Sequence, residues 1–212
     1  MIDSPLPIAV LISGSGSNLQ ALIDAQDECD GYAIAVVISD RPKVRGLERA
    51  SEAGLPTEVI SWTDFDTRSA FTQAVCDAAD RHGSRGLVLA GFMRILAPSA
   101  IERFPEAIIN IHPALLPAFP GKHAIEQALE YGVTITGVTV HFVDEKVDHG
   151  PIIVQETVSV HPEDDVATLH ARIQQVEHRL LPEVAAAFAR GALTVQDRHV
   201  RWDRMPKEAT SR

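Results

Sequence analysis

This sequence predicts an α/β fold with a mostly parallel central sheet carrying helices on both faces. Three observations predict it. Short continuous apolar runs rich in Val and Ile alternate with segments whose apolar residues recur at helical spacing, the order of right-handed βαβ crossovers. The runs lack polar alternation, as expected of strands covered on both faces. A glycine-rich stretch, "SGSGSNL" (13–19), stands where the first strand would hand over to the first helix.

The elements follow in order. "IAVLIS" (8–13) is the first strand and "NLQALIDAQ" (18–26) the first helix. "YAIAVVIS" (32–39) is a second buried strand, and "VRGLERASEAG" (44–54) a helix ended by Gly54. "TEVI" (57–60) is a weak third strand, and "TRSAFTQAVCDAADRHG" (67–83) a helix with a glycine stop. "GLVLAGF" (86–92) and "AIINI" (107–111) are further strands with a short helical piece between them. The pattern then changes. "ITGVTVHFV" (135–143) and "PIIVQETVSV" (151–160), joined by a polar loop, predict an antiparallel addition to the sheet. Residues 162–191 predict a long helix, bent or restarted near Pro182. "LTV" (193–195) is a last short strand, and the charged tail after Asp203 is expected to fray.

At 212 residues the chain suits one domain with a sizeable core. Hydrophobic residues make up 45% and charged residues 23%, ordinary proportions for a soluble protein. With 19 basic and 29 acidic residues the net charge is −10, which disfavours a nucleic-acid or anionic-membrane surface. Cys29 and Cys76 stand alone, with no framework of bridges, as suits a reducing compartment. The start lacks a basic leader region, and no run approaches the roughly 18 apolar residues of a membrane span. The expected location is the cytoplasm.

Two stretches carry chemistry. In "SGSGSNL", glycines permit a sharp turn and the free amides of a helix start favour an anion. A dinucleotide fingerprint would use Asp40 on a ribose, but it needs a third glycine where Leu19 stands. A site for a single phosphate fits better; the alternative is a tight turn with Ser17 or Asn18 capping the helix. In "AIINIHPALLPAFPGKHA" (107–124), Asn110 and His112 lie two apart at a strand end and so share a face. Pro113, Pro117 and Pro120 stiffen the following loop into a fixed wall, and "VDEKVDHGP" (143–151) adds Asp144 and Asp148.

An Asn, a His and an Asp suit attack of an amine on a carbonyl. Carboxamide and imidazolium N–H groups stabilise the developing oxyanion, imidazole relays protons near neutral pH, and a nearby carboxylate raises its pKa and keeps it charged. The competing reading is of ordinary loop hydrogen-bonding side chains. No G-x-S-x-G motif marks a nucleophilic serine, neither cysteine is in an activating context, and no HExxH predicts a metal site.

Five segments in register make the chain resemble a known family: "SGSGSNL", "AGFMRIL" (90–96), "NIHPALLPAFPGKHA" (110–124), "GVTVHFVDEKVDHGPII" (137–153) and "EHRLLP" (177–182). Together they resemble the phosphoribosylglycinamide formyltransferases, folate-dependent enzymes of purine synthesis, over about residues 7–200. The resemblance implies a single Rossmann-like formyltransferase domain with a phosphate-binding half (about 1–105) and a catalytic, folate-binding half (about 106–203). It implies transfer of the formyl group of 10-formyltetrahydrofolate to the amine of 5-phosphoribosyl-glycinamide, with no metal. Ser15, Gly16, Ser17 and Asn18 would hold the phosphate, with Ser15 standing where asparagine is common. Gln174 and Glu177 would hold the ribose and glycinamide part. Met93, Arg94, Ile95 and Leu96, with Asn110, Asp144 and Asp148, would hold the folate, and Arg68 matches a further folate-associated position.

In catalysis, the resemblance implies, Asn110 and His112 stabilise a tetrahedral oxyanion and Asp148 keeps His112 charged. His141 supports the site or packs, and His123 helps close it. The partners are small molecules, and the state is monomer or homodimer. Formyltetrahydrofolate deformylase and methionyl-tRNA formyltransferase are related alternatives, whose members carry, respectively, an extra N-terminal domain and a C-terminal tRNA-binding domain. A non-catalytic nucleotide-binding module is the alternative from another class.

Overall fold

The computed structural model describes residues 5–26 and 31–203; Cys29 and the tail 204–212 lie outside them. Among the described residues, nine strands form one sheet in the order β3-β2-β1-β4-β5-β6-β7-β9-β8. The first five are β1 (Leu6–Ile12), β2 (Tyr32–Ser39), β3 (Thr57–Val59), β4 (Gly86–Leu89) and β5 (Ile108–His112). They pair in parallel. β6 (Ile135–Phe142) then runs antiparallel to β5, and β7 (Ile152–Ser159) antiparallel to β6, as the change of pattern predicts. β8 (Leu193–Gln196) and β9 (His199–Trp202) make a hairpin at that edge.

Among the described residues, six α-helices cover the faces: α1 (Ser17–Gln26), α2 (Arg45–Glu52), α3 (Arg68–Arg81), α4 (Pro98–Arg103), α5 (Ala124–Tyr131) and α6 (Val166–Ala189). Two clusters follow from burying β1 on both sides. Ile8, Val10 and Ile12 pack with Leu19, Leu22, Leu169 and Ile173 of α1 and α6. Ala9 and Leu11 pack with Phe71, Val75 and Ala79 of α3. Local signals set the helix starts: Thr67 accepts from the Ala70 N–H at 3.1 Å, and Asp165 and Thr168 form a reciprocal capping box.

Four details depart from the sequence expectations. β4 ends at Leu89, leaving 90–96 as a loop. α6 continues through Pro182 without a break; Leu180, Leu181, Val184 and Ala185 around it are buried, and that burial outweighs one missing hydrogen bond. α5 and β9 were not foreseen. α5 has buried Ala124, Ile125 and Ala128 on one face and ends at Gly132 in the left-handed region, a stop that a glycine makes cheap.

In the parallel part, β2 and β4 flank β1 on opposite sides. The strand order therefore reverses beside β1, and the crevice at the carboxyl ends of β1 and β4 is where such sheets bind ligands.

Candidate active site

At the end of β1 the loop 13–16 is held by its carbonyls. Gly14 O accepts from the Gly46 N–H at 3.0 Å and Gly16 O from the Gln20 N–H at 2.9 Å. Ser15 O accepts from Arg49 Nε at 3.0 Å. The first amides of α1 have no partner within the helix and remain as donors at its positive end. Gly16 has φ +70°, and a Cβ there would lie 2.5 Å from Gly46 Cα, so α2 packs directly against the turn. Ser17 and Asn18 do not serve mainly as caps. Ser17 Oγ accepts from Gln174 Nε2 at 3.1 Å, and Asn18 Nδ2 donates to Glu177 Oε2 at 3.1 Å. The structure thus brings together Ser17, Asn18, Gln174 and Glu177 from the two ends of the chain. Burial pushes the Glu177 carboxyl upward, only partly offset by Asn18.

The loop allows a paired prediction. Gly16→Ala should destabilise by about 2 kcal/mol, because it meets both a positive φ and backbone well inside contact distance. Gly14→Ala, with nothing within 4 Å of its Cβ position, should stay within about 0.5 kcal/mol of the parent. Urea denaturation checks both.

The second region is a cavity of about 670 Å³ lined by segments 91–96, 110–113, 121–126 and 143–148, with His141. Four polar side chains meet in its wall. Asn110 Nδ2 lies 3.3 Å from Asp148 Oδ1 and 3.2 Å from His141 Nε2. His112 Nδ1 lies 3.4 Å from Asp148 Oδ2, and its Nε2 lies 2.8 Å from the Phe119 carbonyl. Asp148 Oδ2 also accepts from the Gly121 N–H at 2.7 Å. Asp148 itself has φ 48°, a conformation that Asp and Asn tolerate better than most residues.

The stiff loop after β5 is fixed from below. Buried Thr139 Oγ1 donates to Ala114 O at 2.7 Å and accepts from the Leu116 N–H at 3.1 Å, while Gln155 Nε2 donates to Leu116 O at 2.9 Å. The Leu116–Pro117 peptide is cis.

At His112 two electrostatic effects oppose each other. Both ring nitrogens of His112 face acceptors, and Asp148 does raise its pKa, but burial is the larger effect and the net shift is downward. The resting ring is therefore driven toward neutrality rather than held charged. Burial also opposes ionisation of Asp148, yet His141, the Gly121 amide and His112 together bring that carboxyl below its ordinary value.

Of the other expected folate positions, Met93, Ile95, Leu96 and Asp144 line the cavity. Arg94 lines it too, but its Nε is bonded to Asp40. Asp144 Oδ2 lies 2.6 Å from His149 Nδ1. Arg68 does not join them: it is exposed in the first turn of α3 and is not part of the cavity lining. His141 is drawn in more closely than the sequence suggested. Ser13 was missed; its Oγ accepts from the Met93 N–H at 2.8 Å and ties the first loop to the cavity wall. Among the described residues, no group of three or more His, Cys, Asp or Glu side chains is placed to hold a metal ion, and no helix is long and apolar enough to cross a membrane.

Residues 6–185 match the model of the formyl transferase family. The chain belongs to that family. Among formyl transferases, the phosphoribosylglycinamide formyltransferase of Escherichia coli (strain K12) is 42% identical over 192 residues, 90% of each chain. The trifunctional purine biosynthetic protein adenosine-3 of Bos taurus is 46% identical over 187 residues, 88% of this chain but 18% of that protein. The chain thus spans less than a fifth of its trifunctional relative. The crystal structure of glycinamide ribonucleotide transformylase 1 from Symbiobacterium toebii superposes with a TM-score of 0.91 at 46% identity, covering 93% of this chain and 94% of that one.

Proposed function

We propose that this formyl transferase moves the formyl group of 10-formyltetrahydrofolate onto the amine of 5-phosphoribosyl-glycinamide. The observation that carries the reading is the meeting of Asn110, His112 and Asp148 in the wall of a cavity tied to a phosphate-type loop through Ser13 and Met93. The bacterial relatives bearing that activity in their names match this chain nearly end to end.

In this reading the amides of 15–18 take the phosphate, Gln174 and Glu177 the ribose and glycinamide part, and the cavity beside Asn110 the folate. Its volume of about 670 Å³ suits a drug-sized ligand. As the amine adds to the formyl carbon, charge grows on oxygen beside the Asn110 carboxamide. Neutral His112 takes the proton that the amine loses. Once charged, the ring has an acceptor at each nitrogen, Phe119 O and Asp148 Oδ2, so the site holds the imidazolium it creates. The proton then passes to the departing folate nitrogen, leaving the formamide and tetrahydrofolate. The chain works as one domain in two halves, and its place is the cytoplasm, a reducing compartment that suits a free buried Cys76.

The test mixes the purified protein with 10-formyltetrahydrofolate and follows deformylation optically, with and without 5-phosphoribosyl-glycinamide. Loss only in the presence of the amine is expected. Equal loss without it means a hydrolase and removes the phosphate role of the first loop. No loss from folded protein turns the site into a binding module.

A further inference from the structure

Asp40, at the end of β2, is the acid that a dinucleotide site would offer to a ribose. Its side chain is instead fully buried, 0% exposed. Oδ2 accepts from Arg94 Nε at 2.6 Å, with Arg41 Nε at 3.8 Å. Oδ1 has no hydrogen-bond partner among the described residues. The Arg94 guanidinium also lies over the Trp62 ring, 5.2 Å from its centroid, and Trp62 in turn packs edge-on against Phe71 at 5.0 Å.

The neighbours of Arg94 do something different. Met93 and Ile95 are 47% and 51% exposed and line the cavity beside Asn110. The charged head of Arg94 is thus committed to Asp40 and Trp62 while the flanking side chains stay available to a ligand. Two further bonds hold the same strip: the Met93 N–H to Ser13 Oγ at 2.8 Å and the Ala97 N–H to Thr72 Oγ1 at 2.9 Å. Between these ends, among the described residues, the Arg94–Asp40 pair is the one charged tether.

A buried ion pair is a weak source of stability, because desolvation consumes much of the Coulomb attraction. What such a pair does supply is fixed geometry, since a carboxylate without its partner is costly to keep buried. We propose that Asp40 is a positioning residue for the formyl-donor site: acting through Arg94, it fixes residues 93–96 as the wall against which the folate rests. Arg94 is then an anchor rather than a ligand contact. The proposal rests on the folate reading of the cavity given above.

The experiment compares the parent enzyme with Asp40→Asn, Arg94→Met and the double variant. It measures kcat and KM for both substrates, and the Kd of tetrahydrofolate by titration calorimetry. Each single variant should raise the donor KM and the tetrahydrofolate Kd together by about tenfold, the cost of one charge-assisted bond. The KM for 5-phosphoribosyl-glycinamide should stay within about twofold and kcat within about threefold, because the first loop and the Asn110 cluster keep their own supports. The double variant should be no worse than either single one, since both break one tether. Should Asp40→Asn fail to fold, the double variant, free of a lone buried charge, carries the comparison.

Donor KM and Kd unchanged in Asp40→Asn but raised in Arg94→Met would mean that Arg94 contacts the ligand itself, and would overturn the proposal. So would an equal rise in both substrates' KM, which would mark a general structural role. A parent protein that neither turns over nor binds tetrahydrofolate removes the functional reading and this one with it. A parent that turns over while the donor KM ignores both substitutions removes this one alone.

Discussion

Replacing His112 by alanine should lower kcat by about a thousandfold, the usual weight of a positioned acid–base group, while the Kd for tetrahydrofolate moves by less than about fivefold. The asymmetry follows from where the ring is. His112 is 4% exposed, and its nitrogens are engaged by Phe119 O and Asp148. Removing it therefore takes away a proton carrier without removing the larger cavity walls. His112→Asn should be nearly as slow. An asparagine can occupy one of the two acceptors but cannot take up a proton at neutral pH. Steady-state kinetics with calorimetric titration reads both numbers. Turnover within tenfold of the parent would leave His112 as a mere bridge between Phe119 and Asp148. Retained binding with no turnover in the parent itself would favour a binding module.

Much of this site was readable before any coordinates. Asn110 and His112 share a face because strand side chains alternate, and the pairing of β5 with β6 adds His141 directly opposite Asn110. The continuous Val- and Ile-rich runs gave a sheet buried on both faces, and "SGSGSNL" marked the turn at its crevice. Other features depend on what no short window contains. α5 begins at Ala124, just after Pro120, Gly121, Lys122 and a left-handed His123, so its eight residues look like more loop. β9 has four residues and exists only because β8 and β7 are there to pair with. The electrostatic balance at His112 is illegible in the sequence for a related reason. A motif names the carboxylate beside the ring, whereas desolvation depends on everything packed around it. Asp40 shows the same limit: its spacing from the first loop suggested a ribose, and only its burial against Arg94 reveals another partner.

Asp148→Asn is the substitution that should disturb the most contacts for the fewest atoms. One carboxylate oxygen faces the Asn110 carboxamide N–H, and the other accepts from the Gly121 N–H. An asparagine has one accepting and one donating end. Whichever way it turns, its NH₂ meets a donor, so either Asn110 or the loop at Gly121 loses its partner. The backbone itself is spared, since asparagine accepts φ 48° about as well as aspartate. The expected result is a fall in kcat/KM of about a thousandfold, comparable to the loss of one preorganised group at a developing charge. Its pH dependence is signed. In the parent, burial sets the His112 pKa below the ordinary 6.5 while Asp148 pulls it upward. The neutral, proton-accepting ring therefore prevails above that lowered value, and activity declines as pH falls through it. Without the carboxylate the upward pull is gone, so the acidic limb of the pH–kcat/KM profile should move to still lower pH as the plateau drops. Disappearance of the limb altogether would mean that Asp148, not His112, is the group whose protonation stops the reaction. Because Asp148 acts through Asn110 and His112, the His112→Ala/Asp148→Asn pair should be no slower than the worse single variant. Independent, multiplying losses would show instead that the carboxylate has a separate task at the folate.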